Sequence, residues 1–278
     1  MITRPCRGGH WVDRCWQVRR AWTHHAVVND VKIALITGAS RGFGRSMAAH
    51  LIDAGVSVIG TYNRSAVEAK EFAEQVTQKG GKLHFLQLDV ARVDVFPAFT
   101  DSVSEVLHGW RAQQFDYLVN NAGIGYFTPY AETTEEQFDD LVSVNLKAPY
   151  FLTQRLLPLL ADEGRILNLS TALTRAVVPG GSAYAAVKGA LEVLTRYQAV
   201  ELAGRGIRVN TLRGGATESD FGGGIMHSDE VKELSAAVIA LGRIGLPDDL
   251  GAAVPAVLSA AFGWANGSCI ELSGGQSL

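Results

Sequence analysis

TGASRGFG, Thr37 to Gly44, places three glycines in eight positions directly after the apolar run IALI. Such density marks a backbone that turns sharply and lets another group approach closely. In open parallel sheets ligands sit outside the carboxyl ends of the strands, and the turn after the first strand brings its glycines to a phosphate group at a helix N-terminus. The spacing Gly38, Gly42, Gly44 departs from the common G-x-G-x-x-G, so a plain glycine-rich turn fits as well. The surrounding chain has to decide.

From Lys32 onward short apolar runs alternate with longer stretches of helical periodicity. KIALIT and VSVIGTY come first, followed by KLHFLQLDV, FDYLVNNAG, GRILNLS, IRVNTL and SCIELSGG. Between them, apolar residues at three- and four-residue spacing predict helices over about 42–54, 65–79, 95–112, 134–160, 181–203 and 247–260. This alternation predicts a doubly wound α/β fold of Rossmann type: a parallel sheet of about seven strands with helices on both faces. No linker or change of composition interrupts the chain after residue 32, so residues 29–278 read as a single domain.

With 278 residues, 47% hydrophobic and 19% charged, the chain can bury an ordinary core. A formal net charge of -3 without a Lys/Arg stripe argues against nucleic acid as a partner. No apolar run reaches the roughly 18 residues of a membrane span, which argues against a membrane. Cys6, Cys15 and Cys269 have neither zinc-ligand spacing nor disulfide-scaffold density, so no metal and a cytoplasmic location are expected. Residues 1–28 stand apart, with three of the five tryptophans, five arginines, one acidic residue and no serine. They fit neither a signal peptide nor a transit peptide. We read them as an N-terminal appendage, disordered or an upstream start that the working protein does not use, with a basic docking tail as the alternative.

Further motifs give the glycine turn its context. NNAG, Asn120 to Gly123, ends the fourth run; Asp89 and Val90 end the third; YAAVK, Tyr184 to Lys188, opens the helix predicted over 181–203; and LVSVNLKAP carries Asn145. With the glycine pattern T-G-x-x-x-G-x-G, they resemble the short-chain dehydrogenase/reductase family from about Lys32 to Leu278, and within it the 3-oxoacyl-carrier-protein reductase branch. Tyr184 and Lys188 are four apart and so share one helix face. A carbonyl reduced by hydride needs a proton, and a phenol with a pKa of ~10 releases one when a nearby cation favours the phenolate. Alone, the pair would read as a core tyrosine and a solvated lysine.

The fifth run ends in LNLST, where a hydroxyl would orient the substrate carbonyl and stabilise its developing charge. The resemblance puts that hydroxyl 13 residues before the tyrosine, at Thr171, whereas Ser170, 14 before, carries the usual residue type. Both stay open. The resemblance also implies that Asn145 holds a water linking Lys188 to solvent. It implies cofactor contacts from Gly38, Ser40, Arg41, Gly42, Phe43 and Gly44, from Asp89, Val90, Asn121, Ala122 and Gly123, from Tyr184 and Lys188, and from Gly215, Thr217 and Ser219. Gly214 stands where the family commonly has proline, which predicts a mobile loop there. The irregular stretch 213–246, with a helix over about 230–240, reads as a substrate lid.

An NAD site places an acid at the end of the second strand to hold the ribose 2′-hydroxyl. This chain reads VIGTYNRS there, with Tyr62 at the acid's place. Arg41 and Arg64 are placed to attract a 2′-phosphate, with Ser40 and Asn63 as neutral partners, so NADP(H) is the expected cofactor. The expected activity is reduction of a ketone or 3-oxoacyl carbonyl to an alcohol, with Tyr184 as general acid. The alternatives are an NAD(P)-dependent alcohol or sugar dehydrogenase and a catalytically silent nucleotide-sensing scaffold. The expected partner is a small-molecule carbonyl or alcohol, and the resemblance implies a homotetramer, with a dimer as the alternative.

Overall fold

In the computed structural model, which describes residues 31–278, the run IALI forms strand β1 (Ile33–Ile36) with all four side chains buried. A strand covered on both faces needs apolar residues at odd and even positions alike, which is why the run shows no alternation. Ile33 and Leu35 enter a core cluster with Phe96, Phe115 and Leu152, while Ala34 and Ile36 enter a second with Met47, Leu51 and Val254. The reading of residues 1–28, Cys6 and Cys15 included, lies outside the described residues.

After β1 come α1 (Gly42–Asp53), β2 (Ser57–Tyr62), α2 (Ala66–Gln78), β3 (Leu83–Gln87), α3 (Phe96–Gly109) and β4 (Phe115–Asn120). Then follow α4 (Glu135–Val142), α5 (Ala148–Leu156), β5 (Leu160–Thr171), α6 (Ser182–Glu201), β6 (Arg208–Gly214), α7 (Asp229–Ala236), α8 (Pro247–Gly251), α9 (Val254–Leu258) and β7 (Cys269–Leu272). The strands form one sheet in the order β3-β2-β1-β4-β5-β6-β7, every neighbouring pair parallel. Lys32–Leu278 make one unit. The strand order reverses direction between β1 and β4, and connections leaving there diverge to opposite faces, opening a crevice at the carboxyl ends of the strands.

Two predicted helices are interrupted. The stretch 134–160 starts on a capping box between Thr134 and Gln137, but a π-helical turn, Ser143–Lys147, separates α4 from α5. Pro149 has no N–H to give to the carbonyl of Asn145, and one turn earlier the Asn145 side-chain amide donates to the carbonyl of Leu141 (3.1 Å). Likewise Pro255 cannot donate to Gly251, where α8 stops. Strand β5 starts earlier than GRILNLS predicts, through a register shift opposite Phe115 and Tyr117 that sets Glu163 at φ 59°.

The lid helix, expected over about 230–240, ends at Ala236, because Ala240 and Leu241 donate to the carbonyls of Gly275 and Gly274 instead. Gly214 is no loop residue. It closes the β6 ladder between Thr171 and Leu272, and a Cβ there would come 2.9 Å from Leu250.

Candidate active site

The glycine turn is built against its neighbours. Gly38 and Gly42 hold φ of +67° and +55°, left-handed values that suit glycine. A Cβ on Gly44 would run into the carbonyl oxygen of Gly38, so only glycine lets α1 start this close to the turn. The Thr37 hydroxyl accepts the N–H groups of Asn121 and Ala122, both at 3.0 Å. In return the Asn121 amide donates to the carbonyls of Thr37 (2.8 Å) and Gly38 (3.0 Å). The Asn121 side chain is thus a brace that fixes the turn to the end of β4. Thr61 braces it from β2 by accepting the Gly38 N–H at 3.0 Å.

On its other side the turn is open. Nothing lies within 4 Å of where a Gly42 Cβ would be. Helix α1 has no side-chain cap and no acid in its first turn, which leaves its first N–H groups and positive dipole end for an anion. Arg41 is exposed, its guanidinium 3.4 Å from the Asp220 carboxylate. Asn63 and Arg64 are exposed just past β2, whereas Ser40 is buried and the Phe43 ring packs into the second core cluster. Asp89 accepts the Ala91 N–H at 3.1 Å, and Val90 packs on the first core cluster. Past β6 the Thr217 hydroxyl donates to the Gly215 carbonyl (3.0 Å), and Ser219 accepts the Phe221 N–H (3.4 Å).

Tyr184 and Lys188 share one face of α6, as their spacing predicts, and are buried to 6% and 4% exposure. Burial pushes the Tyr184 phenol above its ordinary value, against a hydrogen bond with Thr171 that pulls it down. Burial alone lowers the Lys188 ammonium to about 8. That ammonium donates to the Leu169 carbonyl at 2.8 Å and lies 5.8 Å from the Tyr184 ring centre. Asn145 is buried, its amide donating to Ile124 (3.0 Å) and its oxygen accepting the Ile124 N–H (3.3 Å). The place a Gly123 Cβ would take is 2.9 Å from Asn145 Oδ1 and 3.6 Å from Lys188 Nζ, so glycine keeps a gap between the two.

The two candidate hydroxyls part ways. Thr171 meets Tyr184, while Ser170 donates to Glu192 at 2.7 Å. Adjacent strand residues face opposite sides, so one of the two must turn from the tyrosine. Sequence reasoning missed Glu192, although it continues the Tyr184–Lys188 stripe four residues on. Glu192 takes hydrogen bonds from Ser170, Thr174 (2.8 Å) and Arg213 (2.8 Å). Burial resists its ionisation, but these bonds win and hold the carboxyl below its ordinary range. Arg213 continues to Glu271 at 3.0 Å, and Glu271 to Arg175 at 2.6 Å. Also missed were Phe127 and Phe221, whose rings lie 6.2 Å and 5.4 Å from that of Tyr184.

The profile of a family described as Enoyl-(Acyl carrier protein) reductase matches residues 38–277. The hydroxynaphthalene reductase-like protein Arp2 of Metarhizium brunneum is 31% identical over 258 residues, 88% of this chain and 94% of that protein. A short-chain dehydrogenase/reductase of Pestalotiopsis microspora is 32% identical over 258 residues, 89% of this chain and 96% of its own. Among solved structures, the angucycline C-6 ketoreductase LanV with bound NADP is 36% identical, covering 88% of this chain and 95% of that one, with a TM-score of 0.81.

Proposed function

The chain belongs to the short-chain dehydrogenase/reductase family, and we propose that within it this protein reduces a ketone carbonyl to an alcohol with NADPH, Tyr184 giving the proton. The Thr171 side chain set toward the Tyr184 phenol, with the Lys188 ammonium buried beside the ring, carries this reading. A carbonyl oxygen entering between the two hydroxyls accepts from both. Thr171 then steadies the charge that develops on it, and Tyr184 neutralises that charge by general acid catalysis. Lys188 favours the phenolate that is left. The gap at Gly123 would admit a water between Lys188 and Asn145, the route by which the site regains its proton.

When bound, the reduced nicotinamide dinucleotide supplies the hydride. The residues present fit it. The uncapped start of α1 and the open side of Gly42 suit a pyrophosphate, while Arg41, Arg64, Ser40 and Asn63 would hold a 2′-phosphate that no acid at Tyr62 repels. Asp89, Val90, Ala122, Gly123, Gly215, Thr217 and Ser219 would border the same molecule, with Lys188 on its ribose. A structural neighbour of known cofactor, LanV, holds NADP. The same reading keeps a cytoplasmic location. It makes the protein a homotetramer joined through α4, α5 and α6, whose outer faces expose Phe138, Tyr150, Val193, Tyr197 and Val200.

Cofactor choice is the test. A hydrogen bond to a charged group contributes ~1.5 to 3 kcal/mol, so NADPH should bind at least ~10-fold tighter than NADH in a fluorescence titration at fixed ionic strength. Arg41→Ala should erase most of that preference by weakening NADPH alone. Equal or tighter binding of NADH by the unmodified protein would contradict the 2′-phosphate assignment.

A further inference from the structure

Two phenylalanines close over Tyr184 from different segments. Phe127, in the loop after β4, sets its ring 6.2 Å from that of Tyr184 at 54°, and Phe221, in the lid, sets its ring 5.4 Å away at 52°. Each ring rests on a glycine of the other's segment. A Cβ on Gly125 would run into the Phe221 ring, and a Cβ on Gly222 would come 2.8 Å from the Phe127 ring. The exchange is reciprocal: two rings and two bare backbones fasten the lid to the β4 loop above the tyrosine. Around them the wall is apolar, with Ile124, Tyr126 and Leu173 packed beside Phe221 on buried Leu141, Tyr184 and Val187. The lid's polar side chains face each other or the glycine turn instead: the His227 ring lies 3.0 Å from the Asp220 carboxylate, which also meets Arg41 at 3.4 Å, and Lys232 donates to Glu218 at 2.9 Å.

We infer that the substrate is a ketone borne on, or fused to, a planar aromatic ring that Phe127 and Phe221 hold against Tyr184. This rests on the reading of Tyr184 as the proton donor. A sugar or a charged acyl group would meet ring faces that offer its polar atoms no partner. An aromatic ring gains edge-to-face or offset contact with both phenylalanines, beyond the area it buries, and replaces the ring contacts that Tyr184 already makes. A saturated ring of equal size gains the area alone.

The pair 2-tetralone and 2-decalone, one skeleton with and without an aromatic ring, isolates that difference. With NADPH, kcat/KM for 2-tetralone should exceed that for 2-decalone by about 10-fold. Phe127→Leu and Phe221→Leu, which keep apolar bulk, should together bring the two ketones within about twofold by raising KM for 2-tetralone while leaving kcat. Equal efficiency in the unmodified enzyme, or an advantage that survives both substitutions, overturns the inference. Binding of 2-naphthol, followed by its own fluorescence, reads the rings without turnover. It should weaken by about 10-fold in the double variant, and unchanged binding also overturns the inference. If neither ketone is reduced while 2-naphthol binding depends on the rings, the proton-donor reading falls and the aromatic site stands.

Discussion

Lys188 sets charge against burial, and the balance is visible in stability. Its folded-state value, about 8, lies below the ordinary 10.5. Between those limits the folded protein releases a proton that the unfolded chain keeps, so stability rises with pH over that window. Tyr184 acts in the opposite sense. Its folded-state value is raised above 10.0, so above that pH the unfolded chain deprotonates first and stability falls. Urea denaturation should therefore show a gain of about 2 kcal/mol from Lys188 between pH 8 and 10, and a downturn beyond. Lys188→Met should remove the rise and keep the downturn. An undiminished rise in that variant would show that the ammonium is not strained by burial. Both residues were legible from their spacing, but the burial that shifts them comes from the packing of α6 on β5.

At the scale of elements, the meeting of β5 with α6 decides which hydroxyl faces Tyr184. Counting back 13 residues from Tyr184 favours Thr171 and leaves Ser170 as the alternative, because spacing along the chain does not give the phase of a strand against a helix. The structure turns Thr171 to Tyr184 and Ser170 to Glu192. Thr171→Val should lower kcat by ~10²- to 10³-fold, the cost of one oxyanion donor. Ser170→Ala should lower kcat much less and instead cost about 1 kcal/mol in urea denaturation, since Glu192 loses one of its donors. The reverse order of kcat losses would make Ser170 the working hydroxyl. Other features were illegible for similar reasons. The π-turn depends on a side-chain bond that a helical pattern does not display, although Pro149 was a readable warning. Phe127 and Phe221 each meet the Tyr184 ring from segments far apart in sequence, as Arg213 and Arg175 meet Glu271.

Over the whole molecule, the seven strands were legible because each is a short apolar run between turn residues, and a sheet covered on both faces requires that pattern. Their lateral order is not written in any one run; it follows from which helix covers which face. The sheet brings the glycine turn, the ends of β2, β4, β5 and β6, and the start of α6 to one rim. Tyr150 on α5 and Val193, Tyr197 (63%) and Val200 (77%) along α6 are exposed, and the proposed homotetramer would bury them. Light scattering at micromolar concentration should give a tetramer, and a stable monomer would contradict that assembly. The central claim, that Tyr184 delivers the proton in an NADPH-dependent ketone reduction, is tested by NADPH oxidation against a panel of ketones for the unmodified protein and Tyr184→Phe, with NADPH affinity titrated alongside. The account predicts turnover lower by ~10²- to 10⁴-fold in the variant with affinity held within about threefold; a variant that keeps most of its turnover would contradict it.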